Sequence, residues 1–445
     1  MTDEPLRVDT RIDAGWFVPI DRDGALAGHA LLIDGERIVA LIPGAEADDR
    51  FAPRERIDLP QHVVMPGLVN AHTHAAMALM RGIADDLGLD VWLREHIWPH
   101  EAAHLSPEFV HDGTLLAAAE MLCGGTTCCS DMYFHADAAA RAYLAAGMRA
   151  VLAAPVLDFP MAGAADADAH LQRGLAVRDA FKTSRQLSFA LAPHAPYTVG
   201  DATWHKVMTI ARELDLPVET HLQETRGERD DALAATGMTP LARLDRIGVT
   251  GPGFVAVHAV HPGPGDLDIL ARQGCHVVHC PTSNLKLAAG VAPVKAYVER
   301  GINVALGTDG AASNNRLDLF GEIRLAALLA KGTSGDATAL PAQSVLRMAT
   351  QNGADAFGLG DRIGSLSPGK FADVIAIDLS SLSTQPCYDA VSQLVYVAGR
   401  EHVTDVWVAG ERVVASRLPT RIDVAALSQR AQRWRRQLAA GMKTK

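Results

Sequence analysis

The chain has 445 residues, and 41 Lys and Arg against 52 Asp and Glu leave a formal net charge of −11. A surface that acidic excludes capture of nucleic acid or anionic membrane by bulk electrostatics and points to small-molecule partners. With 48% hydrophobic residues over this length, a large barrel or two domains is expected, and a disordered chain is excluded.

The opening MTDEPLRVDTRID has acidic residues where a signal peptide needs a basic start and an apolar core. No apolar run reaches the ~18 residues of a membrane span, so a soluble, cytoplasmic protein is expected. Residues 1–64 read as short strands and turns, with apolar runs flanking Asp34-Gly35 in HALLIDGERIVALIP as in a two-residue hairpin. DVWVAGERVVAS repeats that design around Ala409-Gly410, and FADVIAIDL from Phe371 supplies another buried strand. Two β-rich pieces at opposite ends of a chain suggest one discontinuous β-sandwich, 1–64 paired with 371–420, because either piece alone leaves open edges.

Residues 65–370 alternate strand and helix. Eight candidate strands lie at 63–74, 125–132, 149–157, 187–195, 217–223, 253–260, 275–282 and 303–310. DGTLLAAAEMLCG and GDLDILARQG, between them, read as helices ending at glycine. Eight such units make a (β/α)8 barrel, whose chemistry sits at the C-terminal ends of the strands. The tail 421–445 reads as a surface helix with its arginines on a solvated face. The six cysteines form no CxxC pair, which disfavours a thiolate zinc site and suits free, buried thiols.

The polar residues fall at those strand ends. His72 and His74 are one residue apart, and the strand period of two points both imidazoles to the same side. His221 in VETHLQE and Asp309 in VALGTDG end later strands. Three imidazoles and one carboxylate suit a single Zn2+, and the same set accepts Fe2+ or Mn2+. Such an ion lowers the pKa of a coordinated water toward neutrality. Glu224, three residues past His221, reaches the substrate beside the metal and is assigned general acid/base duty. His258 either completes the metal shell or hydrogen-bonds the water, and with four ligands already counted the second role is expected. His261 reads as a loop histidine. Asp309 is both ligand and candidate proton acceptor. Two-metal hydrolases of this layout need a lysine at the end of strand four; LSFALAPHAPY offers His194 and no lysine, so one metal is expected.

PGLVNAHTH, ETHLQET, HCPTSNLKL and LGTDGAASNN together resemble the amidohydrolase superfamily, in its branch of aminohydrolases and chlorohydrolases of nitrogen heterocycles. HTHAAMALMRGIADDLGLDVWLREHIWPHEA is most similar to the 5-methylthioadenosine/S-adenosylhomocysteine deaminases. The resemblance implies His72, His74, His221 and Asp309 as zinc ligands, Glu224 as the proton shuttle at purine N1, and His258 as orienter. It further implies substrate contacts from Glu101, fit to accept a ribose diol, and from His194. Leu89, Trp92 and Trp98, in the loop after strand one, are expected to wall the pocket. The implied reaction is hydrolytic deamination of 5′-methylthioadenosine, S-adenosylhomocysteine or adenosine. The partners implied are a small nucleoside and further copies of the chain in a homo-oligomer, with no nucleic acid and no membrane. Relatives in this group carry an arginine near the end of strand three, where this chain has Ala153, Ala154 and Pro155, which favours the smaller, more apolar nucleosides. The rivals are a hydrolase of a guanine-like, cytosine-like or triazine ring, and a barrel that has lost catalysis. Chloride leaves without a proton whereas ammonia needs one, so Glu224 favours deamination; the complete ligand set speaks against a scaffold.

Overall fold

The computed structural model describes residues 4–441 and gathers the strands into two sheets of eight. The N-terminal segment supplies β1 (Leu6–Phe17), β2 (His29–Asp34), β3 (Arg37–Pro43) and β4 (Phe51–Pro66). The middle of the chain supplies β5 (Leu68–Thr73), β6 (Thr126–Asp131), β7 (Arg149–Val156) and β8 (Leu187–Pro193). It continues with β9 (Val218–Leu222), β10 (Phe254–His258), β11 (His276–His279) and β12 (Asn303–Leu306). The C-terminal segment adds β13 (Val374–Asp378), β14 (Val403–Val408), β15 (Glu411–Ala415) and β16 (Leu418–Pro419).

β5 to β12 pair in chain order and all in parallel, forming a (β/α)8 barrel. The seam between β5 and β12 is stitched by the Asn70 side chain, which donates to Thr308 Oγ1 at 2.8 Å and accepts from the Thr308 N–H at 2.9 Å. Registers that pair Val255 with Glu219 and Val257 with His221 put small apolar residues and the site residues on one inward face. All eight expected strands are present, each ending within a few residues of its expected site.

The other sheet runs β16-β15-β14-β13-β4-β1-β2-β3, so a block of four C-terminal strands joins a block of four N-terminal strands through the antiparallel β13–β4 pair, and it encloses its own core around Ile12, Phe17, Leu31, Val64, Val374 and Trp407. The β14–β15 turn is Ala409-Gly410, both at positive φ (49° and 78°), as a tight hairpin requires. The other hairpin turns one residue later than expected, on Gly35 (φ 53°) and Glu36, because Asp34 already pairs with Arg37. The first candidate strand, 63–74, divides between the two sheets at Gly67. A Cβ there would stand 2.1 Å from Thr127 Oγ1, so only glycine lets the chain pass from one sheet to the other.

The helix Val424–Gly441 docks on the helix Pro107–Cys123. Trp434 is buried against Phe109 and donates Nε1–H to Asp112 at 3.0 Å, while Arg430 and Arg433 pair with the same carboxylate at 3.2 and 3.1 Å. These two arginines lie on the exposed face of the helix and pair from there with the buried Asp112. Among the described residues, no helix is long and apolar enough to cross a membrane.

Where the barrel floor meets the second sheet, Arg149 on β7 makes a bidentate pair with Asp373, at 2.9 and 3.1 Å, with both side chains 2% exposed. Removing one partner of such a pair strands a buried charge. Asp373→Ala is therefore expected to cost about 3–5 kcal/mol of unfolding free energy. Chemical denaturation measures it, and a loss under about 1 kcal/mol would show the contact to be dispensable.

Candidate metal centre and active site

Each site side chain owes its position to a strand end. His72 and Thr73 close β5 and His74 follows; His221 sits in β9; His258 ends β10; Asp309 lies three residues past β12. His258 (φ 69°), Asp309 (φ 63°) and Gln223 (φ 48°) are in the left-handed region, a concentration of backbone strain at the C-terminal rim of the barrel.

The nitrogen that each imidazole turns away from the cavity is engaged. His72 Nδ1 donates to Glu219 Oε1 at 2.6 Å, His74 Nδ1 to the Met132 carbonyl at 2.6 Å, and His221 Nδ1 to the His194 carbonyl at 2.8 Å. Those bonds fix the tautomers and leave the three Nε2 lone pairs converging. His221 Nε2 is 3.2 Å from His72 Nε2 and 3.3 Å from His74 Nε2. Asp309 Oδ1 lies 3.5 and 3.3 Å from the same two nitrogens of His72 and His74. Its other oxygen accepts from Ser283 Oγ at 2.6 Å and Ser313 Oγ at 2.7 Å.

Bonds of 2.0–2.1 Å to a tetrahedral zinc place ligand atoms roughly 3.3–3.4 Å apart. The four separations found here, 3.2–3.5 Å, are those of atoms sharing such an ion. The electrostatics ask for it too. Burial lowers His72, yet its bonds to Asp309 and Glu219 carry it up to about 9. Burial raises Asp309, yet His72 and the other imidazoles hold it well below the carboxylate range. A positive charge is thus held between two buried carboxylates, and a cation on neutral imidazoles supplies it in place of the proton.

Around this point a cleft opens, walled by Leu89, Trp92, Trp98, Tyr133 and Pro155 and reaching Glu101 and His194. The expected loop carrying Leu89 and Trp98 is helical instead, with a π-helical stretch Trp92–Ile97 between Leu89–Val91 and Trp98–His104. No glycine or proline interrupts 89–98, so nothing there breaks a helix, and the π turn swings the tryptophans to the cleft.

Glu224 precedes the helix Arg226–Thr236 and does not serve its N-terminus; its carboxylate faces the cleft, 3.8 Å from His258 Nε2. Burial, then the charges of Asp309 and Glu228, push its carboxyl well above the ordinary range, so it holds a proton. His258 Nδ1 donates to Asn284 Oδ1 at 2.8 Å, which leaves its Nε2 as an acceptor on the cavity side. Burial drops both His258 and His194 to about 4, so both are neutral. His194 Nδ1 donates to Thr198 Oγ1 at 3.2 Å, because the Thr198 hydroxyl proton goes to the Ala195 carbonyl at 3.0 Å. Glu101 is buried, pushed up to about 7 by desolvation, and accepts from the Tyr133 hydroxyl at 2.7 Å. His261 lies in a loop, bonded to the Ala289 carbonyl at 2.6 Å.

The structure thus brings His72, His74, His221, His258, Asp309 and Glu224 together, with Glu101 and His194 on the same cleft. Sequence reasoning missed Glu219, Ser283, Ser313, Asn284 and Tyr133. For Glu219 a signal existed: it stands two residues before His221 on the same strand and so shares its inward face.

A parallel barrel whose strand ends aim three imidazoles and a carboxylate at one point, beside a proton-bearing glutamate, defines a metal-dependent hydrolase. The chain belongs to the Amidohydrolase family, whose model matches residues 63–413. It is 47% identical over 434 residues to the 5-methylthioadenosine/S-adenosylhomocysteine deaminase of Teredinibacter turnerae, covering 97% of this chain and 98% of the relative. It is 44% identical to the enzyme of the same name from Saccharophagus degradans, over 97% of both chains. A solved structure described as an adenosine deaminase from Xanthomonas campestris with bound zinc superposes with a TM-score of 0.96 at 48% identity, covering 98% of this chain and 100% of that one.

Glu219 fixes the His72 ring, and loss of such a partner typically costs 10- to 100-fold in metal affinity. Glu219→Gln is expected to weaken zinc binding by about 10- to 100-fold in a chelator competition. Unchanged affinity would show the His72 orientation to be set elsewhere.

Proposed function

We propose that this protein deaminates adenine nucleosides by hydrolysis, converting the 6-amino group of 5′-methylthioadenosine, and more weakly of S-adenosylhomocysteine or adenosine, to a carbonyl with release of ammonia. The observation that carries the reading is Glu224, a buried carboxyl that keeps its proton within 3.8 Å of His258 and on the cleft shared with the metal ligands. The names of the full-length relatives support the same substrate class.

His72, His74, His221 and Asp309 would hold one divalent ion, zinc being the ion in the Xanthomonas structure. That ion supplies Lewis acidity, so that a coordinated water can add to the purine C6 near neutral pH. The chain's own groups do the rest. Glu224 gives its proton to purine N1 as C6 becomes tetrahedral, which removes the negative charge that would otherwise build on the ring. The carboxylate so formed takes up the two protons that the water gives up, passing one to the departing amine and keeping the other for the next turnover, and the sum is nucleoside plus water to the inosine analogue plus ammonia. The Nε2 lone pair of His258 and the Oδ1 of Asp309 accept hydrogens from the attacking water and orient it. At the far end, the Glu101 carboxylate accepts from the ribose 2′- and 3′-hydroxyls, and neutral His194 offers Nε2 to a further hydroxyl or ring atom.

Among the described residues lining the cleft, none is lysine or arginine, and β7 ends in Ala154, Pro155 and Val156. A neutral methylthio group suits that wall; a zwitterionic amino-acid tail finds no fixed cation on it. Free, unpaired cysteines suit the reducing cytoplasm as the place of work.

Ultraviolet absorbance with the three nucleosides in parallel tests this: a shift from the adenine to the hypoxanthine spectrum is expected, fastest with methylthioadenosine. Glu224→Gln is expected to lower kcat by about 10²–10⁴-fold or more with metal content unchanged, and full activity would remove its acid–base role. Glu101→Ala should lower kcat/KM for nucleosides by about 10²-fold while sparing free adenine-type bases. Equal losses on both would mean that Glu101 does not read the ribose.

A further inference from the structure

Glu228 is the third residue of the helix Arg226–Thr236, whose N-cap is Thr225. Thr225 Oγ1 accepts from the Glu228 N–H at 3.1 Å, one half of a capping box. The other half of such a box sends the glutamate back to the N-cap N–H. Here the carboxylate passes over Thr225 and takes the two preceding peptides instead. Oε1 accepts from the Gln223 N–H at 2.9 Å and Oε2 from the Glu224 N–H at 2.9 Å.

Those peptides need holding. Gln223 is left-handed at φ 48°, where a non-glycine residue stores on the order of 1 kcal/mol or more. Its side chain is tied down as well: Nε2 donates to Asp266 Oδ2 at 2.8 Å and to the His261 carbonyl at 2.9 Å, and Oε1 accepts from the Leu241 N–H at 3.2 Å. The turn through Gln223 is what carries the chain from the metal ligand His221 to a Glu224 facing the cleft. Burial lifts the Glu228 carboxyl to about 7 while the two N–H bonds draw it back.

We propose that Glu228 is a positioning residue for Glu224, its carboxylate clamping both peptide N–H groups that aim the proton-carrying side chain at the substrate. The proposal rests on the acid–base role given to Glu224 above. A helix-stabilising glutamate would act on the whole fold; this one acts on the rate through a single neighbour.

The test is a double-mutant cycle with zinc-loaded enzyme. Glu228→Gln keeps one acceptor for two donors and is expected to lower kcat about 10- to 100-fold, with KM and metal content unchanged. Combining it with Glu224→Gln is expected to add nothing to the loss from Glu224→Gln alone, since the group being positioned is gone. A wild-type kcat for Glu228→Gln, or an equal further loss on the Glu224→Gln background, overturns the proposal. Should Glu228→Gln lack a cooperative melt, Glu228→Asp carries the test. It keeps the charge but withdraws the carboxylate by one methylene, and a lowered kcat at unchanged KM is expected. Wild-type turnover there would mean that charge alone matters and would likewise overturn the clamp. Full activity in Glu224→Gln is the separate result that would strike the acid–base reading itself.

Discussion

The His72 and His74 Nε2 atoms lie 3.2–3.5 Å from both His221 Nε2 and Asp309 Oδ1 at the barrel mouth, and such a cluster is tolerable only around positive charge. Much of the surrounding structure serves that convergence. Two main-chain carbonyls, of Met132 and His194, and the Glu219 carboxylate hold the far side of each ring. Two serines occupy the Asp309 oxygen that does not face the rings. A divalent ion would meet the Asp309 carboxylate, held well below the usual range by the imidazoles around it, so that buried charge is paired rather than isolated.

The barrel makes such a centre affordable by dividing labour between its ends. At the C-terminal rim, His258, Asp309 and Gln223 sit in strained backbone. At the floor, Arg149 and Asp373 lock the barrel to a second sheet, and Asp373 also accepts from the Ala409 N–H at 2.8 Å in the hairpin turn. That sheet joins a block of strands from each end of the chain through the β13–β4 pair, so the rim rests on a base to which both terminal segments contribute. Gly67 is the hinge of the arrangement, since β4 of one sheet and β5 of the other meet there with no room for a side chain.

The strands and the residues that end them were legible because periodicity and strand-end position follow from local chain geometry. His72 and His74 announce themselves by a spacing of two, and His221, His258 and Asp309 each close an apolar run. What escaped was of two kinds. Contacts between distant segments, such as Ser283 to Asp309 or Tyr133 to Glu101, depend on helix docking above the barrel, which no local pattern encodes. Glu224 was legible from its place three residues past His221, but Glu228, four residues further on, turns back onto the main chain in a way that spacing does not show. The segment 89–98 read as a loop for lack of a clear apolar stripe, and its π turn is set by what it covers.

Selectivity follows from how differently the two ends of the cleft are charged. At the metal end, a cation offsets Asp309. At the other end, Glu101 is buried with the Tyr133 hydroxyl as its one hydrogen-bond partner among the described residues, and the walls between are tryptophan, leucine and proline. A ribose diol brings donors to that carboxylate and relieves its desolvation. A 5′-phosphate would instead bring like charge into the same low-dielectric space, a juxtaposition that costs several kcal/mol, and no lysine or arginine among the described lining residues offsets it. With Glu101 set against the ribose, as proposed above, the same carboxylate would disfavour a nucleotide at that end of the cleft without a dedicated gate.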